Sequence, residues 1–385
     1  MSWSAPRSRL VRVAMLPMMP AGNAATRAFC LRPLPYLRAH GVEGRVFLPS
    51  SEALYRRFQR PGSRLHRCFA AAYWYGVVAP RRLIHLVRAL RADVILVQRA
   101  LGHYAAPPLL ELLLWLLAGR LLGRTILYHC DDALYTVAPA AFYRRRFAAA
   151  HWVLTGSAEV AGYARRLNPR VWRWEGAVAV ERYPVKRHHP CRPVTIGWTG
   201  HLAERFLEPL VPVLARVCTE RDARVRVVSE RPYAHPLLGA RLTWERWTPA
   251  REFTLFQDFD IGVMPLADTA YNRGKEAYKV KEYMAAGLPS VCSPVGHNLQ
   301  IVRHGVTGFF AADGDAWVTH LIRLIDDVAL RARMGAAARG DAEARFSLAA
   351  HSERLAAFLR AVTPPRRRVT PRREGHVWDS GRLDR

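Results

Sequence analysis

Between Asp260 and Phe310 the chain gathers side chains that could grip an anion and a neighbouring pair of hydroxyls. Arg273, Lys275 and Lys279 put positive charge at the entrance of an expected helix. Free backbone N–H groups and the helix dipole already favour an anion there, and lysines strengthen the attraction to a diphosphate. Glu282 follows one turn after Lys279, where its carboxylate can accept hydrogen bonds from ribose hydroxyls. The plainer reading of Lys275 and Lys279 is a solvated helix face. The elements that must hold these groups are short. Ile261–Met264 is an apolar run of strand type, broken by Pro265 and Asp268. Gly287-Leu288-Pro289 ends the helix, Ser290–Cys292 starts another strand, and Ser293–Gly296 turns at its carboxyl end. In open parallel sheets, ligands sit outside such ends.

Three other stretches carry chemistry. Gly22-Asn23 lies between the first expected strand and a helix, where backbone N–H groups can approach a phosphate closely. An ordinary strand-to-helix turn is the alternative. His129 ends the expected strand Thr125–Tyr128 and precedes Cys130-Asp131-Asp132. Charged residues at a strand's carboxyl end are seldom placed there for packing, although Asp131 or Asp132 could equally cap a helix. Residues 51–90 hold eight arginines against one acidic residue, Glu52, interleaved with Phe58, Phe69, Tyr73, Trp74 and Tyr75. Such a mixture suits an anionic lipid surface, nucleic acid, or a solvated loop.

At 385 residues the chain has room for two domains with separate cores. Half of it is hydrophobic, which excludes a disordered chain, and its formal charge of +27 favours polyanions or phosphorylated substrates. The six cysteines form no CxxC pair, so reduced thiols are expected, and no zinc spacing occurs. Val11–Leu16 reads as a strand and not as the apolar core of a signal peptide, so a cytoplasmic location is expected. Pro107–Leu117 is very apolar but too short for the roughly 20 residues of a membrane span. It is expected to be a core helix, with a surface-inserting helix as the alternative. Strands alternate with helices throughout, the βαβ rhythm of doubly wound sheets. Strands are expected at Val11–Leu16, Arg45–Leu48, Asp93–Val97, Thr125–Tyr128, Trp152–Leu154 and Val194–Trp198, with one helix over Ala24–Ala39. Pro184–Pro193 reads as a linker, and the Pro- and Arg-rich residues from Thr363 as a disordered tail.

One set of residues is distinctive as an ensemble: Lys279, Glu282-Tyr-Met-Ala-Ala-Gly-Leu-Pro289, Ser293-Pro-Val-Gly296, Asn298 and Gly305-Val-Thr-Gly-Phe309. Ile196-Gly-Trp-Thr-Gly200 precedes it, and Leu330-Arg-Ala-Arg-Met-Gly335 and Arg345-Phe-Ser347 follow. The set resembles the C-terminal domain of retaining glycosyltransferases of the family-4 type with the GT-B fold. The resemblance runs from residue 8 to residue 362 and is strongest from 194 onward. It implies an α/β protein of two Rossmann-like doubly wound domains facing a cleft. Residues 8–188 would bind the acceptor and 189–347 the nucleotide-sugar, with helix 348–362 packing back on the first domain and 363–385 as tail.

The implied reaction is sugar transfer from a nucleotide-sugar to a hydroxyl acceptor, with retention, the acceptor being a glycan, lipid-linked or cell-envelope precursor. By the same resemblance Gly22, Gly200, Arg205, Lys275 and Lys279 meet the donor diphosphate and Glu282 the ribose. Arg246 and Trp247 lie beside the nucleobase, a packed tryptophan being the alternative, and His129 and Asp131 lie near the transferred sugar. No metal or cofactor is implied, because lysines and helix N-termini neutralise the leaving group. Peripheral contact with an anionic membrane is implied more readily than nucleic acid. The chain departs from the family at one of two glutamates separated by seven residues: counting back from Glu282 reaches Gly274, with Glu276 out of register. Gln300 also replaces a frequent glutamate. A nucleotide-sugar epimerase, or a degenerate transferase serving as a membrane- or polyanion-binding scaffold, are the competing readings.

Overall fold

The computed structural model describes residues 10–58, 65–102, 108–190 and 193–365. Two six-stranded parallel sheets organise them. The first contains β1 (Val11–Pro17), β2 (Val42–Val46), β3 (Val94–Gln98), β4 (Thr125–Cys130), β5 (Trp152–Thr155) and β6 (Val171–Arg173), in the order β2-β1-β3-β4-β5-β6. The second contains β7 (Val194–Gly200), β8 (Ala223–Ser229), β9 (Leu242–Arg246), β10 (Ile261–Met264), β11 (Ser290–Cys292) and β12 (Gly308–Phe310), in the order β12-β11-β10-β7-β8-β9. β3 and β10 are buried along their whole lengths, as strands covered on both faces must be. The strand order reverses between β1 and β3 in one sheet and between β7 and β10 in the other. Crevices form at these switch points, outside the strands' carboxyl ends.

Local chemistry explains where the elements depart from expectation. The single helix expected over Ala24–Ala39 is divided into Ala24–Thr26, a π-helical turn Arg27–Leu31, and Leu34–Ala39. Pro33 stands at the break, where it offers no N–H to continue the ladder. The second strand lies earlier than Arg45–Leu48, because Val42 pairs with Val11 in register.

The helix Leu348–Ala361 follows the second sheet in sequence but packs on the first. Leu355, Ala356 and Leu359 share a core with Val11, Val13, Leu127 and Leu154. Phe358 stacks on Trp172 with ring centroids 4.3 Å apart. Each buried leucine there contributes about 1.5–3 kcal/mol by leaving water.

Two expectations are corrected. The apolar stretch read as a core helix, whose residue 107 lies outside the described residues, is helical over Leu109–Leu114 and π-helical over Trp115–Leu121, yet only one face is covered. Leu114 and Ala118 are buried, whereas Leu109, Leu112, Leu116 and Leu121 face solvent. Conversely, Tyr73 and Trp74 from the basic, aromatic stretch are core residues and leave only Tyr75 exposed. Cys30, Cys68, Cys130, Cys218 and Cys292 are free thiols. Among the described residues no helix is long and apolar enough to cross a membrane. Cys191 and most of the Pro/Arg-rich tail, residues 366–385, lie outside the described residues.

Candidate functional site

The site grows from the carboxyl ends of β7 and β10. β7 finishes at Gly200, whose φ is 159°. A Cβ there would lie 2.8 Å from Lys279 Nζ and 2.8 Å from the Trp198 ring, so a side chain at this position would crowd both groups. After β10, Thr269 caps the short helix Ala270–Arg273 by accepting from Asn272 N–H at 3.2 Å. The chain then turns through Gly274–Ala277, with Ala277 in the left-handed region at φ 51°, into the helix Tyr278–Ala285. Lys279 and Glu282 are three residues apart on one side of that helix.

Gly22, Gly200, Arg205, Trp247, Lys275, Lys279 and Glu282 line one cavity of about 370 Å³ between the sheets. Both lysines rest on aromatic rings. Lys279 Nζ is 4.1 Å from the Trp198 ring centroid, and Lys275 Nζ is 4.6 Å from that of Phe206 and 5.0 Å from that of Tyr271. Among the described residues neither lysine forms an ion pair with a carboxylate. Burial, and then repulsion from Lys275, push the Lys279 pKa down to about 7. An anion between the two ammonium groups would relieve that penalty. Burial likewise raises the Glu282 carboxyl above its ordinary range, Arg32 acting the other way, and its Oε1 accepts from the Tyr183 hydroxyl at 2.9 Å.

The rim is bridged from both sides. Glu252 accepts from Arg27 Nε at 2.8 Å and pairs with Arg32 Nη2 at 2.6 Å. The Arg27 guanidinium lies 4.3 Å over the Trp247 ring, and Arg32 also donates to the Tyr278 hydroxyl. Gly22 holds an anion of the chain's own: its N–H donates to Glu52 Oε2 at 2.9 Å. Arg205 is exposed at the mouth, 5.4 Å from the Tyr271 ring centroid.

An adjoining cavity of about 210 Å³ contains Asp131, Asp132 and Arg99 at the mouth of the first sheet. Asp131 receives the Arg99 guanidinium on both oxygens, with Nε at 2.7 Å from Oδ1. Burial opposes its charge, and Arg99 more than offsets burial, so the carboxyl stays below its ordinary range. Asp132 differs. It lines both cavities, its Oδ1 accepts from Glu276 N–H at 3.2 Å, and burial raises its pKa despite Lys275.

Two residues assigned from the sequence lie off both linings. His129 is fully buried, with Phe29 and Trp174 at centroid distances of 4.3 and 4.9 Å, and reaches neither cavity. Burial lowers its pKa to about 4, so the ring is neutral at pH 7. Arg246 is exposed, 6.0 Å from the Trp244 ring centroid, and is also off the lining. The missing glutamate has a steric explanation. A Cβ on Gly274 would come 2.4 Å from Ala133 Cβ, and the Gly274 carbonyl already accepts from Ser157 Oγ at 3.1 Å. Glu276 does not replace it: its Oε1 takes Lys281 Nζ and Gly176 N–H, both at 2.6 Å, in a buried pair. Sequence reasoning also missed Asp132, Arg99, Arg27, Arg32 and Glu252 as parts of the site. Asp132 stood beside the assigned Asp131, but the arginine–Glu252 bridge joins segments 225 residues apart and leaves no local signal. A larger cavity of about 680 Å³ lies between the helix Ala158–Arg165 and residues 294–300; it shares no lining residue with the lysine cleft. Among the described residues no cluster of three His, Cys, Asp or Glu could hold a metal.

A search of curated proteins by sequence found no match. Several solved structures resemble the chain as a whole. HepE from Anabaena in complex with UDP and glucose has a TM-score of 0.66 at 15% identity, covering 91% of this chain and 100% of that one. Sucrose-phosphate synthase from Thermosynechococcus elongatus has a TM-score of 0.66 at 14% identity, covering 91% and 98%. The lipopolysaccharide outer core galactosyltransferase WaaB has a TM-score of 0.59 at 14% identity, covering 90% and 99%. These likenesses and the two facing sheets give the chain the GT-B fold of two Rossmann-like halves. Residues 193–327 match the family model described as Glycosyl transferases group 1, and this segment contains Gly200, Lys275, Lys279 and Glu282.

Proposed function

We propose that the chain transfers a sugar from a nucleotide-sugar to a hydroxyl acceptor, with the donor held in the lysine cleft. One observation carries this reading: Lys275 and Lys279 converge without carboxylate partners, among the described residues, at the switch point of the sheet whose segment matches the transferase model. The two ammonium groups meet the diphosphate and stabilise the charge that grows on it as the glycosidic bond breaks. Glu282, steadied by Tyr183, accepts from the ribose hydroxyls. Trp247 and Arg27 flank the base. Asp132, in place of the absent family glutamate and of Asp131, accepts from hydroxyls of the transferred sugar at the junction of the two cavities. The acceptor hydroxyl attacks from the face that the diphosphate leaves and gives its proton to that diphosphate, so transfer proceeds with retention and needs no strong base from the chain. The acceptor hydroxyl enters from the mouth of the first sheet.

Uridine nucleotides come first in the test because the HepE structure contains UDP and glucose. Calorimetry with UDP, GDP and ADP, followed by product analysis with the matching sugar nucleotide, tests the reading. Binding that weakens by about tenfold in Glu282→Gln supports the assigned ribose contact. Binding of no nucleoside diphosphate, or binding indifferent to Glu282, would overturn it.

A further inference from the structure

We propose that the face built by the helix Ala79–Ala89 and the helical run Leu109–Leu121 docks onto an anionic lipid bilayer. The two elements pack against each other and, among the described residues, leave their outer sides uncovered. On the run, Leu109, Leu112 and Leu116 follow a helical stripe at i, i+3 and i+7, and Leu109, Leu112 and Leu121 are 68, 60 and 69% exposed. On the neighbouring helix, Leu83, Ile84 and Val87 are exposed beside them, Val87 at 65%. Clustered exposed apolar side chains of this kind mark an interaction surface.

Charge selects which partner. Arg81, Arg88, Arg91 and Arg120 are exposed around the patch. The only acidic residues between 65 and 122 are Asp93 and Glu111. Asp93 is buried and accepts from Arg12 N–H at 3.0 Å. Glu111 turns inward, taking Arg146 Nη2 at 2.7 Å. A second copy of this chain would bring the same arginines against each other. Anionic headgroups supply the opposite charge, while the leucines enter the headgroup and acyl boundary. The run has 6 α-helical and 7 π-helical residues, about 20 Å of helix at 1.5 Å per residue, so it lies on a bilayer and does not cross one.

The test is co-sedimentation of the full chain with vesicles of phosphatidylcholine alone or mixed with phosphatidylglycerol, with no nucleotide present. Binding to the mixed vesicles that falls with added salt is the expected result. The double variant Leu112→Gln/Leu116→Gln is expected to lower partitioning by roughly tenfold at unchanged Tm. Ile84→Gln/Val87→Gln serves as the second variant if the first lowers Tm. Arg81→Gln/Arg88→Gln is expected to flatten the salt dependence. The proposal is overturned if wild-type chain ignores anionic vesicles, or if both apolar variants bind like wild type. Self-association abolished by those variants, without vesicle binding, overturns it in favour of a second copy. The donor-site reading stands or falls separately, because UDP binding is not measured here.

Discussion

The mouths of the two sheets face each other across the cleft, and they treat positive charge differently. At the first, Arg99 is clamped by Asp131 on both oxygens. At the second, Lys275 and Lys279 lie on aromatic faces, and among the described residues no carboxylate pairs with them. A cation neutralised by its own chain is part of the scaffold. A pair of half-buried cations held close without counter-charge costs stability until an anion arrives. The difference separates paired from unpaired positive charge, among the described residues, within one cavity system.

The sharpest way to break this comparison is to remove one cation from each mouth. Arg99→Met leaves Asp131 buried without a counter-charge and is expected to cost about 3–5 kcal/mol of stability. A denaturant melt checks it; a loss below 1 kcal/mol would mean that the pair is not structural. Lys279→Met is expected to lower affinity for the preferred nucleoside diphosphate by about 10- to 100-fold, the range of hydrogen bonds to charged groups. Calorimetry reads the affinity, and the melt of the same variant should show no loss of stability.

Gly274→Glu puts a glutamate where the sequence resemblance led one to be expected, yet it drives a side chain into Ala133. It is expected to destabilise the fold by about 1–3 kcal/mol, as overpacking does, and not to raise turnover. Increased activity at unchanged Tm would refute the steric account.

The smallest effect is the pH dependence of Lys279, whose pKa is lowered from 10.5 to about 7 by burial and then by Lys275. Between pH 7 and 10.5 the unfolded chain holds a proton that the folded chain has released, so this residue's contribution to stability rises with pH in that window. A bound diphosphate favours the ammonium form, so affinity should fall as pH climbs above 7, with proton uptake on binding near pH 8. Calorimetry in buffers of different ionisation enthalpy measures that uptake. Lys279→Met should abolish it.

Much of the second sheet was legible because its signals are local. Ile261–Met264 and Ser290–Cys292 are apolar runs bounded by breakers, and the structure has strands at these residues. Lys275, Lys279 and Glu282 are spaced so that one loop and one helix must carry them to the same side, and all three line the cleft. The first sheet's contribution was harder to see. The strand expected to stop before His129 runs on to Cys130, and the sequence could not show that Phe29 and Trp174 close over the His129 ring. Choosing between Asp131 and Asp132 depended on Arg99, brought alongside by the pairing of β3 with β4. The uncovered side of Leu109–Leu121 escaped for a related reason. A helix apolar on every side reads as buried, and only the packing reveals which side has no neighbour.

The chain passes between its two halves twice, and the two passages touch. Val178 N–H donates to the Phe346 carbonyl at 2.9 Å, and Leu348 N–H donates to the Val178 carbonyl at 2.8 Å. These two hydrogen bonds tie the crossings together at one point. A hinge-type opening at that junction would have to part the Arg27–Glu252 and Arg32–Glu252 bridges that span the rim.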